Sequence, residues 1–414
     1  RLEQKIIELE SKLQRLEKRT GQNGTSHKPD SSNGKSTAAH STNGFVQPIA
    51  SFKPEALTQQ QTSTGLRQIR SQGMNPNISA IGTFLGTGSS LDPLERNYNI
   101  GLQEAEFSFK AIVDPYATAD FFIAAGKHAE PILSPGEHDE ADGGHEEEGG
   151  LEFELEEVFV TLLHLPLNTQ IKAGKFRPKF GKLNETHPHA YNIIDLPLMY
   201  QYFLGGEGFV DEGVSFRWLL PNPSFFQELT FQVLNGPGEN LSFTRAENNK
   251  LLYMGHLRNF FDLSESTTLE LGLLGATGPN NAEGDRTKMF AADLTIKWKP
   301  LQKNRYKSFE WTSEFLLSKK DELDEDITSI GLFSHLRYQV AKRWFIGGLA
   351  EYSEFPEFDQ FNHKGYSGIL QFYATEFQKF EIQGRYNDGN FFDNFFDVFV
   401  RAVFVIGAHG AHQY

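Results

Sequence analysis

From about residue 76 onward, apolar and polar positions alternate in segments of about ten to fourteen residues, the length a tilted strand needs to cross a bilayer. About sixteen segments can be placed, near 76–87, 98–113, 116–127, 151–164, 168–177, 207–219, 225–235, 250–262, 266–277, 287–299, 307–318, 327–340, 342–353, 364–376, 378–387 and 394–407. Ala105, Phe107, Phe109 and Ala111 share one face, with Glu104, Glu106, Ser108 and Lys110 on the other. Leu229, Phe231 and Val233 oppose Glu228, Thr230 and Gln232, and Leu294, Ile296 and Trp298 oppose Asp293, Thr295 and Lys297. In the last segment Val398, Val400, Ala402, Phe404 and Ile406 oppose Asp397, Phe399, Arg401 and Val403. A strand in lipid must hydrogen-bond to neighbours on both sides, and only a closed barrel provides them for every strand. The apolar set then faces lipid and the charged set a wet lumen. A soluble sandwich also alternates, but it rarely needs so many long strands.

The connections set an orientation. Those after even-numbered segments are short (Asp114-Pro115, Leu165-Pro166-Leu167, 219–223, Asp262-Leu263-Ser264, Ala341), and those after odd-numbered segments are mostly long (128–150, 178–206, 236–249, 278–286, 319–326, 354–363). Short periplasmic turns and long outer loops are the asymmetry of bacterial barrels. An even strand count returns both termini to the periplasm, and a barrel of about sixteen strands leaves an aqueous channel. The stretch 300–306 is the exception, long and basic for a periplasmic turn.

Ahead of the barrel, residues 1–19 read as a short coiled coil, with Leu2, Ile6, Leu9, Leu13 and Leu16 at alternating four- and three-residue spacing. Little more than two heptads is marginal alone, so the seam is expected to zip only where something else holds the chains together. Ile at a with Leu at d leans toward two strands, whereas the run Lys5–Glu10 resembles a trimer-favouring pattern and barrels of this size suggest three. An amphipathic surface helix is the alternative. Residues 20–75, rich in Ser, Thr, Asn, Gly and Gln, read as a flexible linker. The expected fold is all-β: a sixteen-stranded antiparallel transmembrane barrel over 76–414, preceded by the coiled-coil helix and linker.

Composition narrows the classes. The 414 residues contain no run of eighteen apolar positions, which removes a transmembrane helix. Thirty-seven phenylalanines stand against four methionines, many near segment ends where an aromatic girdle would lie. With no cysteine there is no disulfide and no thiolate metal site. The formal charge of −15 argues against nucleic acid as a partner. The numbering starts at Arg1 without a signal peptide, so an exported chain is expected to have lost its signal ahead of this residue. No G-x-S-x-G, H-E-x-x-H or phosphate-cradling glycine loop is present, and an enzyme is not expected.

At Ile171-Lys172-Ala173-Gly174-Lys175-Phe176-Arg177-Pro178-Lys179-Phe180-Gly181 the chain resembles the phosphate-selective porin O and P family, in which a strand ending in G-x-F-x-x-x-F-G leads into the pore. The following Asn184–His189 and Gly205–Gly208 are similar to a related group of outer-membrane proteins with His-rich loops, often described as zinc-regulated. Coiled coil, linker and barrel together resemble trimeric porins with periplasmic coiled coils. The resemblance implies a trimer of sixteen-stranded barrels with a loop folded into each lumen. The family's ladder of basic residues does not map here. Inward charges are mixed, with Lys110, Lys172, Arg217, Arg385 and Arg401 among Glu104, Glu106, Glu154, Glu228, Glu270 and Asp397.

The third outer loop, 178–206, carries Pro and apolar residues (Ile193, Ile194, Leu196, Leu198) and so can pack. It is expected to form the constriction, with Arg177, Lys179, Lys182 and Glu185 near the narrowest point, where a ring of charge selects by sign. The alternative is a loop that only stiffens the barrel or a subunit contact. His187 and His189, with Glu185, would suit zinc, although satisfied loop histidines are more common. The second loop carries His128, His138, His145 and many acids, Glu146 among them. It either captures divalent metal loosely or concentrates cations by charge alone. No cofactor is required; a loosely bound divalent cation such as zinc is the one expected ligand.

The expected function is an outer-membrane porin for passive diffusion of small hydrophilic solutes. Its partners would be outer-membrane lipid and lipopolysaccharide, two further copies of the chain, and a cell-wall or periplasmic partner at the coiled coil. The rivals are a zinc-associated channel and a barrel that only anchors the coiled coil.

Overall fold

A computed structural model describes residues 76–91, 98–126, 152–237, 242–246, 250–282, 284–321, 326–358 and 360–407. The coiled-coil positions Leu2, Ile6, Leu9, Leu13 and Leu16, the linker 20–75, and His128, His138, His145 and Glu146 of the second loop lie outside the described residues.

Sixteen strands follow in order: β1 (Asn77–Ser89), β2 (Tyr98–Asp114), β3 (Ala117–Gly126), β4 (Glu152–Leu165), β5 (Thr169–Phe176), β6 (Asp211–Leu220), β7 (Phe226–Leu234), β8 (Leu252–Ser264), β9 (Thr267–Pro279), β10 (Arg286–Trp298), β11 (Phe309–Asp321), β12 (Asp326–Ala341), β13 (Trp344–Glu354), β14 (Asn362–Thr375), β15 (Gln378–Gly389) and β16 (Phe395–Gly407). Each pairs antiparallel with its sequence neighbours, and β1 closes onto β16 from Ser79 opposite Gly407 to Ser89 opposite Asp397. Closure removes every sheet edge.

The two faces invert the pattern of a soluble protein. Phe107, Phe121, Val214, Phe231, Leu273, Phe290, Ile346, Ile382 and Val400 are exposed on the outside, while Thr230, Gln232, Thr295, Glu314, Gln371, Glu381 and Gln383 are buried within. The side-chain period of two therefore sorts residues as the sequence pattern predicts, with the apolar set outward. Tight turns follow the even strands. After β2, the Tyr116 N–H donates to Asp114 Oδ1 at 2.7 Å, an Asx turn that reverses the chain in two residues. The basic stretch at 300–306 is a run of exposed turns.

One boundary differs from expectation. β6 starts at Asp211, not near 207, because residues 205–210 belong to the inward loop. Asn184 ties that segment down: its Nδ2 donates to Pro178 O and Phe209 O, and its Oδ1 accepts from the Phe209 N–H.

Candidate functional site

The β5–β6 connection fills part of the lumen. It contains a short helical turn (Pro188–Ala190) and one helix, α1 (Leu198–Leu204), whose seven residues are all buried. Against it the inner wall is apolar: Leu274, Met289, Leu316, Phe333, Leu349 and Ile369 join Phe180, Leu198, Met199 and Phe203 in one cluster. Water leaves this contact, and burying a Leu or Phe side chain stabilises by roughly 1.5–3 kcal/mol. Gly331 lets the helix approach; a Cβ there would lie 2.5 Å from the Met199 Cβ. The first N–H of the helix, Leu198, donates to Glu351 Oε2 at 2.9 Å, so a carboxylate sits at the positive end of the helix. Tyr200 donates its hydroxyl to Glu314 Oε2 at 2.9 Å. Burial, with the Glu314 carboxylate beside it, holds the Tyr200 phenol well above its ordinary pKa, so it remains a donor.

Polar anchors continue the attachment. All five guanidinium N–H groups of Arg401 are engaged: NH1 donates to Pro188 O and Ile194 O, NH2 to Tyr191 O and Ile193 O, and Nε to Glu381 Oε2. Lys379 Nζ donates to His189 O and Tyr191 O. Arg385 bridges Asp195 of the loop, at 2.7 Å, and Asp397 of the wall, at 3.3 Å.

These contacts correct several expectations. Arg177 and Lys179 do not present open charge at a constriction, being 2% and 6% exposed. Arg177 pairs with Glu156 and Lys179 with Glu228 and Glu185, because a buried cation is tolerated only when paired. Lys182 is partly exposed and pairs with Glu270. Of the expected lumen charges, Arg401 and Glu106 point inward but are sealed beneath the loop. Glu104 also faces inward and is partly covered, while Lys110, Lys172 and Arg217 remain at least partly open. Lys172 lies 4.3 Å over the Phe159 ring. Glu185 does not join the loop histidines; it lies 3.5 Å from Lys179 and 3.3 Å from Arg217.

His187 instead meets Glu106, Glu156 and Glu157 at 2.9, 3.5 and 2.8 Å, and His189 lies 3.3 Å from Glu106. Burial disfavours charge on His187, but the three carboxylates around it outweigh that and raise its pKa well above the ordinary value. The sequence reading missed Glu156 and Glu157. Their neighbours broke the alternation: Phe122 pairs with Glu157 while Ile123 pairs with Leu155, so a bulge at Glu156 turns both glutamates inward. Two adjacent acids inside an otherwise alternating strand were the available signal.

The loop meets the wall on many sides, pairing with Glu106 of β2, Glu156 of β4, Glu228 of β7 and Glu270 of β9 as well as with β13, β15 and β16. At least partly exposed charges of both signs remain, Lys110, Lys172, Lys182, Arg217 and Arg258 beside Glu104, Asp120 and Glu185, and Lys182, Arg217 and Arg258 are paired with carboxylates.

No family model matches the chain. An uncharacterized protein of Aquifex aeolicus (strain VF5) is 29% identical over 306 residues, and the match spans 63% of this chain and 63% of that relative. Among solved structures, the anion-selective porin from Comamonas acidovorans superposes with a TM-score of 0.53 at 10% identity, over 80% of this chain and 99% of that one. Salmonella typhi OmpF, in its complex with daunomycin, gives 0.51 at 11% identity, over 80% and 98%. In-vitro folded OmpT, an outer membrane protein of Vibrio cholerae, gives 0.50 at 8% identity, over 80% and 98%. At these identities the likeness is one of fold, and the fold is the closed sixteen-stranded antiparallel barrel of the porins.

Proposed function

We propose that the chain forms a water-filled channel in a bacterial outer membrane for passive diffusion of small hydrophilic solutes. The observation that carries this reading is the inverted barrel: an exposed apolar outer face around a polar, charged interior, with no free sheet edge. Such a surface is stable in lipid and unstable in water. The loop fills part of the lumen, so solutes pass through the space it leaves.

Charges of both signs are mixed along the inner face, and most cations there are paired with carboxylates, so no strong sign preference is part of this reading. Phosphate specificity is not part of it either, since Arg177, Lys179, Lys379, Arg385 and Arg401 are held in loop contacts instead of forming an open ladder. The long connections after odd strands face outward and the N-terminus faces the periplasm. Barrels of this size suggest a homotrimer, which would bring three copies of residues 1–19 together.

The test is single-channel conductance of the detergent-purified protein in planar bilayers, with reversal potentials in a salt gradient. Stepwise openings are expected, and deletion of residues 1–75 should leave conduction intact. Folded, inserted protein without conductance would refute the channel reading.

A further inference from the structure

The wall behind the 187–189 turn carries a side-chain set that diffusion does not require. The β4 bulge brings Glu156 and Glu157 to the inner face beside Glu106 of β2, and each carboxylate is held by one oxygen or left bare in a particular way. Glu157 Oε2 accepts from the Arg177 backbone N–H at 3.0 Å, and its Oε1 lies 2.8 Å from His187 Nε2. Glu156 Oε1 accepts from Arg177 NH2 at 3.2 Å, while its Oε2 accepts no aligned hydrogen bond. Glu106 is 1% exposed, and neither of its oxygens accepts an aligned hydrogen bond from the described residues. His187 Nδ1 lies 2.9 Å from Glu106 Oε2, also without hydrogen-bond alignment.

We propose that Glu106, Glu156 and His187 bind a divalent cation of the zinc class, with His189 standing beside them as a fourth donor. One ligand atom from each of the three lies within 4.8 Å of the others. Donors about 2.1 Å from a tetrahedral zinc stand about 3.4 Å apart, and the His187–Glu156 and His189–Glu106 separations are 3.5 and 3.3 Å. Small side-chain rotations complete the set. Mixed imidazole and carboxylate donors suit zinc, whereas calcium and magnesium take oxygen donors.

Glu157 supplies what a ligating histidine needs on its far nitrogen, a carboxylate that fixes the N–H at Nε2 and leaves the Nδ1 lone pair for the metal. The charge also fits. Glu106, Glu156 and Glu157 face one guanidinium, Arg177, so a dication relieves the excess that neutral imidazoles leave. Bound there, the metal would tie the loop turn to β2 and β4, with β2 separated by β1 alone from the Arg401 anchor on β16. This ligand set differs from the His187–His189–Glu185 grouping that the sequence suggested.

The test uses the full-length, detergent-solubilised protein, stripped with a chelator and titrated with zinc alone by calorimetry at fixed pH. One saturable equivalent is expected. Glu106→Gln and His187→Gln should each weaken it at least tenfold. Glu157→Gln, which removes no ligand, should weaken it by roughly 10–100-fold. Replacing His138 and His145 by Ala should leave this equivalent unchanged. Heat-modifiable gel mobility reports the folded barrel for every variant. Where a variant does not fold, X-ray absorption on the zinc-loaded wild type decides, with an imidazole-containing shell at about 2.0–2.1 Å expected. The proposal is overturned if the stripped wild type binds no zinc, if folded Glu106→Gln and His187→Gln bind as wild type, if the equivalent vanishes with His138 and His145, or if the shell lacks imidazole. A turn held only by protonated histidine is then the remaining account.

Discussion

Arg401→Met tests whether the loop that narrows the lumen is held in place by its buried polar anchors. The guanidinium is 1% exposed and donates to the carbonyls of Pro188, Tyr191, Ile193 and Ile194 at 2.8–3.2 Å while pairing with Glu381. Hydrogen bonds to a charged group contribute about 1.5–3 kcal/mol each, and breaking a buried pair costs about 3–5 kcal/mol. These values do not add, because Lys379 lies 3.2 Å from Glu381 and already serves Tyr191 O. A net loss of about 3 kcal/mol against the docked 188–194 segment follows, more than a hundredfold in its docking equilibrium. The apolar seat of α1 is untouched, so only that segment should release. Single-channel recordings should then show larger or noisier openings than wild type. Arg401→Lys, which keeps the charge but has three donors, should fall between. A folded Arg401→Met barrel with wild-type conductance and wild-type noise would refute the reasoning.

Reversing two lumen charges, Lys182→Glu with Arg217→Glu, should move the reversal potential toward cations; an unchanged value would place the ion path elsewhere. Gly331→Leu drives a side chain into Met199 and should unseat α1 and raise conductance, whereas Gly368→Ala meets nothing within 4 Å and should change neither conductance nor stability. Phe203→Ala removes a fully buried ring from the loop seat and should cost about 3–5 kcal/mol, read as a lower Tm of the folded barrel.

The alternation of Ala105, Phe107 and Phe109 with Glu104, Glu106 and Ser108 was enough to place those residues on opposite faces, because a strand's side-chain period is a local property of its backbone. The short links at Asp114-Pro115 and Leu165-Pro166-Leu167 likewise gave antiparallel neighbours, and the apolar residues of the β5–β6 connection announced a loop that packs. What local pattern could not supply was the partner of any inward side chain. Met289, Leu316 and Phe333 are inward and apolar, against the rule for a wet lumen, because they share one cluster with Phe180, Met199 and Phe203 of the loop, and only the course of the loop shows it. The same course places Arg401 on carbonyls more than two hundred residues earlier in the chain. Glu185 is two residues from His187 in sequence yet pairs with Arg217, while the bulge in β4 delivers Glu156 and Glu157 to the histidine instead. Strand, face and turn follow from neighbouring residues; the pairing of charges inside the barrel follows from where distant backbone returns, and only the closed tertiary fold fixes that.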